Sequence, residues 1–379
     1  MELGLYIHIP FCLSKCIYCD FASFPNLLDR QAAYFEHLEK EIEASSTKVD
    51  SSYEVTSIYF GGGTPSVVES KYIEAVLETI KSCFKVSESA EITIEINPKT
   101  LDMQKAEHYK AMGINRVSVG LQTHREDILK LLKRAHSFND FLETIEMLKA
   151  VGFNNISSDL IYGLPEQSLE DIEKSIEILG NLDIQHISYY SLTIMEHTAL
   201  EQMIRKNEVT IPDEELNRQM YHKGIEWLLA KGFKQYEISN FCKADKASAH
   251  NLKYWDYTPY LGFGVAAHSF LEGKRWGNTE NFRDYLESLG RDELPQVEIE
   301  VLEREESIYE YVMLRLRLNQ GLFFETFEEK FGQKVPRKMI ETLEKYIEHG
   351  LVEKSGKGLR LTTEGFDVSN TIFCELMDF

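Results

Sequence analysis

The 379-residue chain has no apolar run approaching the roughly 20 residues that a membrane-spanning helix needs. Its first residues also lack the basic-then-apolar signature of a secretory leader. Both absences point to a protein that works in the cytoplasm. Positive charge is scarce, with 41 Lys and Arg against 62 Asp and Glu and a formal charge of -21. A general nucleic-acid surface needs a basic face to displace counterions, so no nucleic-acid partner is expected. A polybasic membrane anchor is equally unsupported, although peripheral contact with membrane proteins stays open. Cysteine is scarce too, and six thiols in a reducing compartment do not make a disulfide framework. The remaining composition, 43% hydrophobic and 27% charged, is that of an ordinary globular protein. Its length exceeds what one core usually serves, so one large domain and one or two smaller ones are expected.

What is present is concentrated near the start. In YIHIPFCLSKCIYCDFAS, Cys12, Cys16 and Cys19 form CxxxCxxC, and Phe21 stands where a fourth thiol would complete a longer motif. Cys83, Cys242 and Cys374 are single and read as small apolar residues. A structural zinc site wants four ligands, and no second CxxC or HxxxH pair lies nearby. Three thiolates suit a 4Fe-4S cluster with one iron left without a cysteine, whereas electron-transfer clusters usually have all four. That iron is a binding site for a small chelate, such as an amino group and a carboxylate on one molecule.

Strand-like segments recur about every 30 residues: LGLYIHI, VTSIYF, EITIEI, INRVSVGL, NISSDLIYG and HISYYSL. Amphipathic helices fall between them. In ESKYIEAVLETIKSCF the apolar residues Tyr72, Ile73, Val76, Leu77, Ile80 and Phe84 lie three and four apart. Such alternation implies an α/β fold with a parallel sheet, either an open doubly wound sheet or a curved partial barrel. In both, ligands gather beyond the carboxyl ends of the strands, where the notable residues of this chain fall. The second strand runs into GGGTP, a tight turn that lacks the Lys-Ser/Thr of a phosphate loop. Alternation places Glu91, Thr93 and Glu95 on one side of the third strand. If that side faces inward, Glu95 needs a cationic partner. Gln122 is a neutral donor and acceptor at the fourth strand's end. Arg134 offers a planar fork to a carboxylate, and Asp159 suits ribose hydroxyls.

CxxxCxxC directly after a strand resembles the signature of the radical S-adenosylmethionine (SAM) superfamily, in which the open iron chelates the methionine part of the cofactor. The resemblance implies a 4Fe-4S cluster held by Cys12, Cys16 and Cys19, S-adenosyl-L-methionine, and a partial (β/α)6 barrel. Gly62, Gly63 and Thr64 match the segment that meets the cofactor's amino group. The order YIHIPFC, FGGGTP, EINP, SVGLQT, DLIYGLP, YEISNF and HNLKYW resembles the oxygen-independent coproporphyrinogen III oxidase family over nearly the whole chain. By that correspondence Tyr6, Tyr18, Gly62, Gly63, Thr64, Glu95, Gln122, Arg134 and Asp159 contact the cofactor. The oxidases carry CxxxCxxCxC after a long leading segment. Here Phe21 replaces the last cysteine and five residues precede Tyr6. Both departures, with HNLKYW, resemble the sister group of heme chaperones. The implied ligand is heme and the implied partner a heme-accepting protein.

In HNLKYW, His250 could ligate heme iron, Tyr254 and Trp255 offer flat apolar surface, and Lys243, Lys246 and Lys253 lie near enough in sequence to meet propionates. The rival reading is a buried histidine bonded to neighbours while the aromatics fill core. Past Pro295 the chain reads as three helices and a glycine-turn hairpin, resembling a small winged-helix-like module of α+β type. With acids outnumbering bases there, a lid or a partner-docking role is favoured over DNA binding. The expected organisation is a barrel over 1–210, an extension carrying HNLKYW over 211–295, and a C-terminal module over 296–379.

Overall fold

In the computed structural model, which describes residues 1–377, six parallel strands follow one another along the chain. They are β1 (Glu2–Ile9), β2 (Glu54–Gly62), β3 (Val86–Ile96), β4 (Arg116–Gln122), β5 (Ile156–Tyr162) and β6 (His186–Ser191). They pair in that order, each with the next. Helices Gln31–Ser46, Ser70–Cys83, Met103–Ala111, Phe138–Val151 and Leu169–Asn181 occupy the crossovers. The helix Ser70–Cys83 buries Ile73, Val76, Leu77 and Ile80, the stripe its periodicity calls for.

Strand alternation explains the two faces of the sheet. Leu5, Ile7, Ile58, Phe60, Ile92, Ile94, Val117, Val119, Leu160 and Ile187 are buried in one apolar core with the covering helices. Their neighbours along each strand, of opposite parity, face the concave side and are largely polar: Tyr6, Ser57, Tyr59, Glu91, Thr93, Glu95, Arg116, Ser118, Asp159, His186 and Ser188. The barrel interior is therefore a polar lining inside an apolar jacket.

Six short strands extend the sheet at its two edges. β7 (Lys234–Glu237) and β8 (Asn240–Cys242) add antiparallel beyond β6. β9 (Tyr260–Phe263) pairs parallel with β1, followed by antiparallel β10 (His268–Leu271), β11 (Lys274–Asn278) and β12 (Gln296–Val301). The result is one twelve-stranded sheet, of which the six-strand reading named the central half. A separate three-stranded sheet, β13 (Leu322–Phe323), β14 (Val352–Ser355) and β15 (Gly358–Leu361), packs with helices Arg304–Leu316, Phe324–Phe331 and Arg337–Glu348. Helices Thr363–Asp367 and Ser369–Leu376 follow the hairpin. This second core also takes in Tyr257, from the turn before β9, and Phe270 of β10. Among the described residues no helix is long and apolar enough to cross a membrane.

The turn after β9 is fixed by a buried carboxylate. Glu41 of the first crossover helix accepts from Gly264 N (2.8 Å), Tyr285 Oη (2.6 Å) and Asn278 Nδ2 (2.6 Å). Burial pushes its carboxyl from the ordinary 4.5 up to about 7. Glu41→Ala leaves three buried donors without this acceptor, and at roughly 1–3 kcal/mol for each unsatisfied group the expected loss is about 3 kcal/mol or more. Urea unfolding checks it. Because the folded pKa is the higher one, Glu41's ionisation-linked stabilisation is complete below 4.5 and is lost as pH rises through 7. The wild-type advantage is therefore expected to shrink in alkaline buffer.

Candidate cluster and cofactor site

The three-cysteine segment follows β1 as a loop whose neck is closed by Phe24 N donating to Pro10 O (2.7 Å). Its middle is pinned by Ile17, which donates to Leu132 O (3.2 Å), accepts from Leu200 N (2.9 Å) and packs among Ile128, Leu132 and Ile161. The apolar residue between two thiols thus anchors the loop while the cysteines turn to a cavity of about 280 Å³. Cys12, Cys16 and Cys19 are all free thiols. Cys12 Sγ accepts from Thr64 Oγ1 (3.4 Å) and Cys16 Sγ from Arg134 Nη1 (3.6 Å). Burial pushes the Cys12 and Cys19 thiols up, so a metal centre must displace their protons to bind. Among the described residues no three His, Cys, Asp or Glu side chains are grouped to hold a single ion. A cubane presents a separate iron to each thiolate, so this donor set fits a cluster better than zinc.

The GGGTP turn comes close to that loop because it carries no side chain there. A Cβ on Gly63 would stand 2.8 Å from Phe11 O and 3.0 Å from Cys12 Sγ. Gly62 has φ +111°, a conformation that favours glycine, and donates its N–H to Glu95 Oε2 (3.2 Å). That donor already serves a protein carboxylate, which disfavours the phosphate-loop reading.

Glu95 faces inward, as its partner Tyr59 Oη donates to Oε1 at 2.8 Å. Burial, with Asp159 nearby, pushes its carboxyl up to about 7. Asp159 is raised in the same direction by burial, against the hydroxyls of Ser188 and Ser118. Two buried acids sharing one cavity make a receptor for a cation. Arg134 lies just past the helix Glu126–Leu131, with its side chain in the same cavity. Tyr18 and Cys16 beside it hold the guanidinium charged despite the cost of burial, and Nε has no partner. A cavity with acids on one side and an arginine fork with an unused donor fits a molecule bearing both an ammonium and a carboxylate. Gln122 enters through a register shift between Gly120 and Gln122 and a backbone φ of +69°. This irregularity ends β4 and aims the amide at Tyr190 Oη, which donates to Oε1 at 3.3 Å.

Tyr6 and His250 lie outside this cavity. The Tyr6 ring stacks on Tyr59 (6.2 Å), and its hydroxyl bonds His8 Nδ1 (3.1 Å) beside a neighbouring cavity. His250 sits on the helix Ala249–Trp255, which plugs the amino end of the barrel. It is 1% exposed, with Nδ1 bonded to Ser57 Oγ and Nε2 to Tyr254 Oη, both at 2.9 Å. Burial, with Lys253 and Arg116 near, pushes it down to about 3, so the ring is neutral and both its nitrogens are engaged. Heme ligation by His250 would require Ser57 or Tyr254 to release one of these ring nitrogens. Lys253 is buried and pairs with Glu2 (2.5 Å), while Lys243 lies over the Phe233 ring (5.0 Å). Trp255 faces Arg317 of the C-terminal module (5.9 Å).

Tyr59, Ser118, Ser188 and Tyr190 line the cavity and were not expected. Their signal was present: each has the same strand parity as Glu95 or Asp159 once the register is known.

Residues 6–179 match the family model of the radical SAM superfamily, and residues 302–368 match the HemN C-terminal domain. The chain is 34% identical to the heme chaperone HemW of Bacillus subtilis, with 97% of each chain covered. It is 33% identical to the heme chaperone HemW of Mycobacterium tuberculosis, covering 84% of this chain and 82% of that one. Among solved structures, coproporphyrinogen III oxidase (HemN) from Escherichia coli superposes with a TM-score of 0.86 at 22% identity. That superposition covers 99% of this chain and 90% of the oxidase, and shows the fold.

Replacing Cys12, Cys16 and Cys19 together with Ala is expected to abolish iron and acid-labile sulfide after anaerobic reconstitution, measured by metal and sulfide analysis. Glu95 would accept from the cofactor's amino group most strongly as the carboxylate. Below about 7 that form must first lose a proton, so affinity for SAM should fall there by up to about tenfold per pH unit, and this Glu95-linked part of the profile should level off above it. Equilibrium dialysis across pH 5–9 checks the slope, which Glu95→Gln should flatten.

Proposed function

The chain belongs to the heme chaperone HemW family, on a radical SAM scaffold, and on that premise we propose that it binds heme and delivers it to acceptor proteins. The observation that carries this reading is the end-to-end likeness to the chaperones, at 34% identity over 97% of both chains in one case. The superfamily implies a 4Fe-4S cluster and SAM. In this reading Cys12, Cys16 and Cys19 hold the cluster, and Thr64 and Arg134 steady two of the sulfurs through the contacts described. Glu95 and the Gly62–Thr64 turn receive the cofactor's amino group, Arg134 its carboxylate and Asp159 its ribose hydroxyls, with Tyr18 and Gln122 closing the rim. When bound, the pair supplies one-electron reductive chemistry at the sulfonium. The helix Ala249–Trp255 closes the barrel below that position. We place this work in the cytoplasm, with membrane-bound acceptors reached by peripheral contact.

The rival is a coproporphyrinogen oxidase, suggested by the shared fold. Phe21, 61% exposed at the lip of the cluster cavity, disfavours it, because the oxidases carry a cysteine at this position. Under anaerobic conditions with a reductant, the chaperone reading expects stoichiometric heme capture and transfer to an apo-heme protein, with no decarboxylation of coproporphyrinogen. Turnover to a decarboxylated product, followed by chromatography, would favour the oxidase. A change in the reduced cluster's EPR signal on adding SAM is expected under either reading.

A further inference from the structure

The twelve-stranded sheet has two edges, and they are finished differently. Beyond β7 the C-terminal module takes up the backbone: Ile238 N donates to Arg317 O (3.1 Å) and Asn319 N to Tyr236 O (3.0 Å). At the other end β12 has β11 on one side and, among the described residues, no backbone hydrogen bond on the other. The outward N–H and C=O groups of such an edge are a template for a further strand. This template is held in place beforehand. Just outside β12, Thr279 N donates to Pro295 O and Leu302 N to Gly273 O, both at 2.9 Å, so the strand is tied down at its two ends.

The side chains of β12 do not hide it. In QVEIEV, Val297, Ile299 and Val301 are 41%, 63% and 67% exposed. Exposed apolar residues scattered singly need no explanation, whereas three on one strand mark a contact surface. Two clefts adjoin them. Leu261, Phe263, Leu271, Trp276 and Ile299 are the apolar lining of one, of about 290 Å³. Glu298, Glu300 and Arg275 line part of another, of about 430 Å³.

Edges are commonly guarded by a bulge and by charge. Here the pairing slips between Arg275 and Gly277, opposite the segment where Glu298 has a φ of +53°, and the charges on the strand are all acidic. Glu298 has no ion-pair or hydrogen-bond partner among the described residues. Glu300 lies 3.9 Å from Arg275, whose fork is already taken by Glu310 (2.9 and 2.7 Å). A guard of one sign turns away strands of that sign and admits the opposite one. Antiparallel pairing with a second copy would bring these acids together across the ladder, on chains that each carry a formal charge of -21. We propose that β12 receives an extended basic segment of a partner protein as an added strand, with its apolar side chains directed to the first cleft and its Lys or Arg side chains to Glu298 and Glu300. The inference goes beyond the chaperone reading and depends on neither the cluster nor heme.

The probe is a hexapeptide of alternating lysine and valine, added at millimolar concentration to the full-length chain, with amide hydrogen exchange read by mass spectrometry. Exchange over 296–301 is expected to slow several-fold, and high salt should reverse the effect. A glutamate–valine hexapeptide should give no protection, nor should a lysine–valine peptide of equal charge interrupted by proline, which cannot complete the ladder. Joint replacement Glu298→Lys and Glu300→Lys should exchange the preference, so that the acidic peptide protects and the basic one does not. Ile299→Pro should abolish protection with the circular dichroism spectrum unchanged. Three results would overturn the proposal: no slowing over 296–301, equal protection by the proline-interrupted peptide, or concentration-dependent protection of β12 without peptide, which would assign the edge to a second copy.

Discussion

Polar side chains on the inner face of a parallel barrel have no solvent of their own, so each must find a partner inside, and this constraint organises the molecule. At the amino end most of the demand is met by protein, with Arg116 Nε and Thr93 Oγ1 the exceptions. Glu91 Oε1 accepts from His250 N and Ser248 Oγ, Arg116 lies 3.9 Å from Glu91, and His186 is shared between Ser157 and Tyr236. At the carboxyl end it is left open. Glu95 and Asp159 stay raised by burial, and Arg134 Nε has no partner. The same lining is structure below and receptor above, and the difference is set by one short helix.

That division explains what could be read from residues alone. The six central strands were legible because each has a β-branched alternating core, and their ends carry residues whose types do not suit a solvated loop. The cysteine spacing was legible because a cluster constrains adjacent residues in one loop. The edge strands were not, since runs of three to six residues leave too short a pattern. The entry of Gln122 depends on a bulge that shifts parity within GLQ, and parity is what sequence reasoning relies on.

The HNLKYW stretch poses the opposite problem. Its residue types suit a porphyrin, but whether an imidazole is available is decided by its neighbours. Ser57 is 193 positions away from His250, and no local pattern links them. Composition therefore suggests a class of ligand, and only the fold shows which partners the ring already has.

The plug helix has a second attachment, since the chain just after it is held by the C-terminal module. Asp256 pairs with Arg315, Lys330 donates to Tyr257 O (3.1 Å), and Tyr257 and Phe270 lie inside the module's core. Barrel floor and terminal module thus behave as a stopper and its handle. A chain cut short before residue 302 would uncover both aromatic rings and loosen the stopper, so the superfamily domain is not separable by scissors drawn at its sequence boundary.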